Sequence, residues 1–197
     1  AFMPYGYIDI KYLPQMPDGD SRRYRLKAID LATRRVFLAV YEEQTCASSV
    51  DFLKRVVRAA PMKIVKLPTD NGTQFTDRFT GKGKQPSGQH GFDQACAGLG
   101  IEHRLSPPRH PQTNGIPSGA QVVERFNGRI SELLKQTRFN SAEELEKTLL
   151  SYLVIYNHHI PQRAINHQTP MQAVQKWQED KPELFVKKDY DQEGLDS

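Results

Sequence analysis

The chain opens with alternating hydrophobic and polar positions. From Tyr5 to Leu13, Tyr7, Asp9 and Lys11 fall on one side of an extended chain and Ile8 and Ile10 on the other, which predicts a strand. Residues 14–23 are polar and contain Pro17-Asp18-Gly19-Asp20, a turn signal. Two β-rich runs come next, Tyr24–Ile29 and Val36–Tyr41, joined by a short polar link, so the first three strands form a meander. The period then changes to helical with Val50, Leu53, Val56 and Val57. Ser48-Ser49-Val50-Asp51 offers a capping box for that helix, and Pro61 closes it. Lys63–Leu67 reads as a fourth strand stopped by Pro68, which has no N–H for a ladder, so that Thr69-Asp70-Asn71-Gly72 lies just beyond the strand end.

The stretch Thr80–Gly91, rich in Gly, Lys, Gln and Pro, predicts a mobile surface loop. Phe92–Leu99 suits a short helix ended by Gly100, Ile101–Leu105 a fifth strand, and Ser106–Gln121 a second Pro/Gly-rich loop. Val122, Phe126, Ile130, Leu133 and Thr137 then share one side of a helix and leave Glu124, Asn127 and Ser131 on a polar side. Ser141-Ala142-Glu143-Glu144 caps a further helix with the stripe Leu145, Leu149, Tyr152, Leu153 and Tyr156. Thr169 with Pro170 starts the last helix, in which Trp177 is expected to fill the core. The order predicts an α/β fold, a mixed five-stranded sheet covered by helices. We divide it into a core at residues 1–139, a C-terminal helical extension at 140–178 and an acidic tail at 179–197.

Composition narrows the classes. The 197 residues suffice for one domain with a substantial core, and no apolar run approaches the roughly 18 residues of a membrane span. The start has no basic segment followed by an apolar one and reads straight into a strand, so the expectation is a piece of a longer protein without a secretory leader. Cys46 and Cys96 stand far apart and outside any C-x-x-C pair, which argues against a disulfide scaffold or structural zinc and for a reducing cytoplasm. The net charge is +4, but residues 179–197 hold seven acids against three bases, leaving +8 on the remainder. A basic body attracts a phosphate backbone, although an ordinary solvated surface accounts for the charge as well.

Three acids fall where strand ends and a helix start converge in such an order: Asp9 on the first strand, Asp70 after the fourth, and Glu124 near the start of the helix. Hard divalent cations such as Mg²⁺ prefer carboxylate oxygens, so two or three carboxylates at a sheet edge can hold them. Two such ions can assist the attacking and the leaving oxygen of a phosphodiester displacement. Each acid also has a plainer reading. Asp70-Asn71-Gly72 is a good turn sequence, and Glu124 can answer a helix dipole, whereas Asp9, flanked by Ile8 and Ile10, is hard to bury without a partner. His158-His159 suggests a soft metal site, but with no paired cysteine a structural or surface role at the helix end is favoured.

With their neighbours these acids resemble a family. Tyr7-Ile8-Asp9-Ile10-Lys11, Thr69-Asp70-Asn71-Gly72-Thr73-Gln74-Phe75, Pro108-Arg109-His110-Pro111-Gln112-Thr113-Asn114-Gly115 and Val123-Glu124-Arg125-Phe126-Asn127-Gly128-Arg129 look like the integrase-core transposases of bacterial insertion sequences, relatives of retroviral integrases. The segments stand in the family's order, and Tyr156-Asn157, Pro161-Gln162-Arg163 and Thr169-Pro170 also match the stretch usually found downstream of that core.

The resemblance implies an RNase H-like fold and a DDE polynucleotidyl transferase that cleaves DNA 3′ ends and transfers strands in transposition. Asp9, Asp70 and Glu124 would be its catalytic and metal-binding acids, with Mg²⁺ or Mn²⁺ as cofactor and two ions in the active complex. Arg109, Arg125 and Arg129 would neutralise the DNA backbone, and His110, Gln112, Asn114 and Asn127 would orient phosphate or water. The expected partners are duplex DNA, transposon end and target, and further copies of the chain, at the bacterial nucleoid and away from membranes. The end-reading helix-turn-helix is expected outside this sequence. A nuclease of the same fold that does not join, or a silent DNA-binding and assembly module, are the competing readings. One feature departs from the family: Ile116-Pro117-Ser118-Gly119-Ala120-Gln121 intervenes before the helix of Glu124, so 53 residues separate Asp70 from Glu124. Pro117 and Gly119 predict that residues 116–121 form a mobile loop and that the helix begins close to Glu124.

Overall fold

The computed structural model describes residues 6–17, 23–80, 85–106 and 119–186, with backbone alone for 119–125. In it the alternating segments β1 (Gly6–Tyr12), β2 (Tyr24–Asp30) and β3 (Val36–Tyr41) form an antiparallel meander. On its other side β1 pairs in parallel with β4 (Lys66–Thr69), and β4 in parallel with β5 (Glu102–Leu105), giving the mixed order β3-β2-β1-β4-β5. Helices α1 (Cys46–Ala59) and α2 (Gly91–Gly98) cover one face, and α3 (Gly119–Gln136) and α4 (Ala142–His159) the other. The last helix, α5 (Pro170–Asp180), buries Met171, Ala173 and Val174.

The period-two pattern explains the layering. Ile8, Leu26, Ala28 and Leu67 point to a core shared with Phe52, Leu53 and Val56 of α1 and Phe92 and Cys96 of α2. Tyr7, Ile29 and Leu38 point to the opposite core, with Phe126 and Ile130 of α3 and Leu145, Leu149, Leu153 and Tyr156 of α4. The buried Asn157 extends this second layer. Its Oδ1 accepts from the N–H of Val36 (3.0 Å) and its Nδ2 donates to the Val36 carbonyl (2.9 Å), pairing the outer edge of β3 with a helix. Thr169 and Gln172 form the capping box of α5, with Pro170 in its first turn.

Several expected boundaries move. The N-cap of α1 is Thr45, whose Oγ1 accepts from the N–H of Ser48, so the helix starts before Ser48 rather than at it. Pro68 lies inside β4. The carbonyls of Val65 and Thr69 bond toward β5, so by alternation the proline nitrogen faces β1, whose pairing with β4 is confined to Ile8 and Thr69, and the β5 ladder misses no N–H. Helix α3 begins at Gly119, so residues 119–121 are helical, contrary to the loop expected for them; residues 116–118 lie outside the described residues. The first turn of a helix has no intrahelical N–H bonds to lose, which lets a glycine start one, and Ala120 and Gln121 are good helix formers. Trp177 is only half-buried, under the ammonium of Lys181 at 5.6 Å from the ring centre, because α5 turns that side outward. Glu179 and Asp180 still belong to α5, and Phe185 bridges to Met62, so this part of the acidic segment packs onto the body. From the expected loop, Ser87 donates through both its N–H and its hydroxyl to Asp77, just before the loop, which holds the Asp77 carboxyl below the usual range.

Candidate active site

The inner face of β1 and β2 turns from apolar to charged within one pair of residues. Tyr7 sits opposite Ile29, then Asp9 opposite Lys27, then Lys11 opposite Arg25. Cross-strand partners share a face, so Lys27 is aimed at Asp9, with Nζ 3.7 Å from Oδ2. Lys27 is fully buried and Asp9 nearly so, at 8% exposure. Burial pulls the Lys27 ammonium down to about 7, against the opposing pull of Asp9, and lowers Arg25 to about 10 for the same reason. The ring of Phe126 lies 5.1 Å from Lys27 Nζ and supplies a cation–π contact.

Asn127 joins α3 to this cluster. Its Nδ2 donates to Asp9 Oδ2 (3.0 Å), while its Oδ1 accepts from Lys27 Nζ (2.8 Å) and from Arg25 Nη2. The amide is thus read at both ends, nitrogen to the carboxylate and oxygen to the two cations. The polar side expected for α3 is therefore turned, at Asn127, into the sheet. Glu124 precedes Asn127 by three residues, about one helical turn.

Asp70 comes directly after β4. Ile8 and Thr69 are register partners on neighbouring parallel strands, so Asp9 and Asp70 are the next residues on each. Burial raises the Asp70 carboxyl above the usual range, and the charge of Asp9 raises it further. The N–H of Gly72 donates to Asp70 Oδ1 (2.8 Å), Asn71 Nδ2 donates to the Ser106 carbonyl (2.9 Å), and Arg78 Nη1 donates to Asn71 Oδ1 (2.7 Å). The turn reading of Asp70 holds in that its carboxylate shapes the bend, and the same bend delivers the carboxylate beside Asp9.

The structure thus brings Asp9, Asp70 and Asn127 together. Glu124 and Arg125 lie on α3 with side chains outside the described residues, and Arg109, His110, Gln112 and Asn114 lie outside them altogether. Arg129 is exposed on the α4 side of α3, where its charge opposes the upward shift that burial gives the Tyr152 hydroxyl. His158 is half-buried and His159 exposed at the end of α4. Among the described residues no group of three or more His, Cys, Asp or Glu is placed to hold a metal. Sequence reading missed Arg25 and Lys27. The signal was present, since both alternate with Leu26 and Ala28 on a strand that pairs with Asp9.

Two comparisons with a family described as integrase core domain match, one over residues 5–111 and one over residues 99–170. The ORF3 protein of Spiroplasma virus SpV1-C74, named as an integrase, is 27% identical over 169 residues, which is 83% of this chain and 45% of that protein. A retrovirus-related Pol polyprotein from the transposon TNT 1-94 of Nicotiana tabacum is 27% identical over 66% of this chain and 8% of its own length. The chain therefore spans less than half the length of these relatives. Among solved structures, the catalytic core domain of BIV integrase superposes with a TM-score of 0.61 at 19% identity, covering 90% of this chain and 97% of that one. The HTLV-2 integrase catalytic core domain, in complex with magnesium and dimeric, gives 0.60 at 17% identity over 86% and 94%. The fold is the RNase H-like architecture of these catalytic cores.

Proposed function

Because the chain belongs to the integrase core domain family, we propose that it is the catalytic core of a transposase or integrase that cleaves DNA 3′ ends and transfers the freed strand to a target. The observation that carries this reading is the register of Ile8 with Thr69, which sets Asp9 and Asp70 side by side on neighbouring strands. The two carboxylates are near enough for the charge of one to hold back ionisation of the other. Such a pair fits a hard divalent cation, which takes oxygen ligands and relieves their repulsion. Asp9 and Asp70, with Glu124 as the third acid, would hold Mg²⁺ or Mn²⁺, two ions in the active complex. Bound there, the ions would supply Lewis-acid assistance to the attacking and leaving oxygens.

The chain's own residues set the stage for that chemistry. Asn127 holds α3 against Asp9 and so fixes where the turn carrying Glu124 begins. Lys27 and Arg25 offset the negative charge of Asp9 from the protein side. Arg109, Arg125 and Arg129 would meet the DNA backbone, with His110, Gln112 and Asn114 beside them. Duplex DNA is the substrate, the working form contains more than one copy of the chain, and the setting is the bacterial nucleoid. None of the described helices is long and apolar enough to cross a membrane.

The test uses pre-cut and blunt duplex ends with Mg²⁺, Mn²⁺ or EDTA, comparing the parent with Asp70→Asn and Glu124→Gln. Metal-dependent joining that both variants lose supports the proposal. Hydrolysis without joining would make the chain a nuclease of this fold, and DNA binding without any cleavage would make it an assembly module.

A further inference from the structure

The face of the sheet opposite Asp9 holds a second polar arrangement. Asp93 of α2, His103 of β5 and Thr69 of β4 form a line in an otherwise apolar layer. A carboxylate can only accept, so His103 Nδ1 donates to Asp93 Oδ1 (2.5 Å), and the fixed ring then presents Nε2 to Thr69 Oγ1 at 2.8 Å. Phe92 packs edge-on against the imidazole, with ring centres 5.0 Å apart. The order carboxylate, imidazole, hydroxyl is that of a hydrolytic triad, but Thr69 has no solvent exposure, so no substrate can reach its oxygen.

What Thr69 does reach is Asp70. Its hydroxyl donates to the Asp70 carbonyl (3.0 Å) and so accepts from His103 Nε2, and its own carbonyl accepts from both the N–H and the hydroxyl of Ser106 at 2.9 Å. Asp70 is the residue for which such fixing matters. An ionised carboxylate there is partly desolvated and faces the charge of Asp9, so a loose strand end would let it swing toward water. We infer that His103 is a positioning residue: held by Asp93, it clamps the Thr69 hydroxyl from beneath the sheet and thereby fixes the backbone that presents the Asp70 carboxylate beside Asp9. This rests on Asp70 being a metal-binding acid. Outer partners of metal ligands typically change affinity by about 10-fold to 100-fold when removed.

The experiment reads Mn²⁺ affinity directly, by calorimetry or by the free-Mn²⁺ electron paramagnetic resonance signal, alongside melting temperature. Thr69→Val keeps the shape and removes the hydroxyl, and Thr69→Ser restores it. His103→Leu removes both ring nitrogens, and His103→Gln returns one polar group toward Thr69. Asp70→Asn is the reference. Thr69→Val and His103→Leu should weaken Mn²⁺ binding by about 10-fold, with Thr69→Ser and His103→Gln near the parent. The inference is overturned if Thr69→Val lowers the melting temperature but binds Mn²⁺ like the parent while Asp70→Asn does not, since the hydroxyl would then be merely structural. If His103→Leu fails to fold, the near-isosteric Thr69 pair decides. If Asp70→Asn itself binds Mn²⁺ like the parent, the assignment of Asp70 fails instead.

Discussion

The amide of Asn127 donates to the carboxylate of Asp9 at 3.0 Å, joining residues 118 apart in sequence and a helix to a strand. Replacing Asn127 by Ala removes that donor and the acceptor shared by Lys27 and Arg25. Hydrogen bonds to charged groups contribute about 1.5–3 kcal/mol each, so a loss of about 2–3 kcal/mol on denaturant unfolding is expected. Strand joining should fall at least about 10-fold, since small misplacements of catalytic groups are costly. Joining at the parent rate by folded Asn127→Ala would remove Asn127 from any role in holding α3.

Asp9 and Asp70 should respond oppositely to neutralisation. Asp9 is the counter-charge of the buried Arg25 and, below about pH 7, of Lys27, and breaking a buried pair by deleting one partner costs about 3–5 kcal/mol. Asp70 is repelled by Asp9, so an amide there relieves strain. Both Asp9→Asn and Asp70→Asn should abolish metal-dependent cutting and joining, but in metal-free buffer the first should melt well below the parent and the second at or above it. Equal destabilisation by both would show that the charges are not arranged as described.

Lys27 gives the chain an unusual dependence on alkali. Its folded pKa of about 7 lies below its ordinary 10.5. Below about pH 7 the ammonium is present folded and unfolded, and the full cost of burying it is felt. Between about 7 and 10.5 the unfolded chain binds a proton that the folded chain does not, so this group makes stability rise with pH, by up to about 1.4 kcal/mol per unit. In EDTA, unfolding free energies of the parent and Lys27→Met measured across that window should diverge with this slope in favour of the parent. Parallel curves would mean that Lys27 stays charged in the fold.

DNA binding by this chain is expected to be weak, largely indifferent to sequence and steeply salt-dependent, since backbone contacts supply non-specific affinity. Arg129→Ala should lower the slope of log K against log salt by about 1. Tight, sequence-selective binding that hardly changes between low and physiological salt would contradict this.

The layered sheet was readable because strand alternation and helical spacing report burial directly, as with Ile8 and Leu26 on one face and Phe126 and Ile130 on the other. Asp9 stood out because a carboxylate between isoleucines needs a partner. The partner was harder to see. Lys27 and Arg25 are recognisable only once the hairpin register is known, and a one-residue slip would have sent both to the other face. Helix α3 starts earlier than its sequence suggests because glycine is penalised inside a helix but not in its first turn. The Asp93–His103–Thr69 line was invisible for a different reason: its members lie on three elements, and only the parallel pairing of β4 with β5 sets Thr69 and His103 near each other.

Asn157, bonded to both backbone groups of Val36, occupies the rim of β3 where a strand from another molecule would begin to pair. The opposite rim, β5, is four residues long and carries the exposed, mutually bonded Glu102 and Arg104. Short, charged or covered rims discourage strand addition. Both rims of the sheet thus carry a feature that opposes strand addition, and if copies of this chain gather on DNA as proposed, contact through helices and loops would leave no continuous sheet from one molecule to the next to seed fibrils.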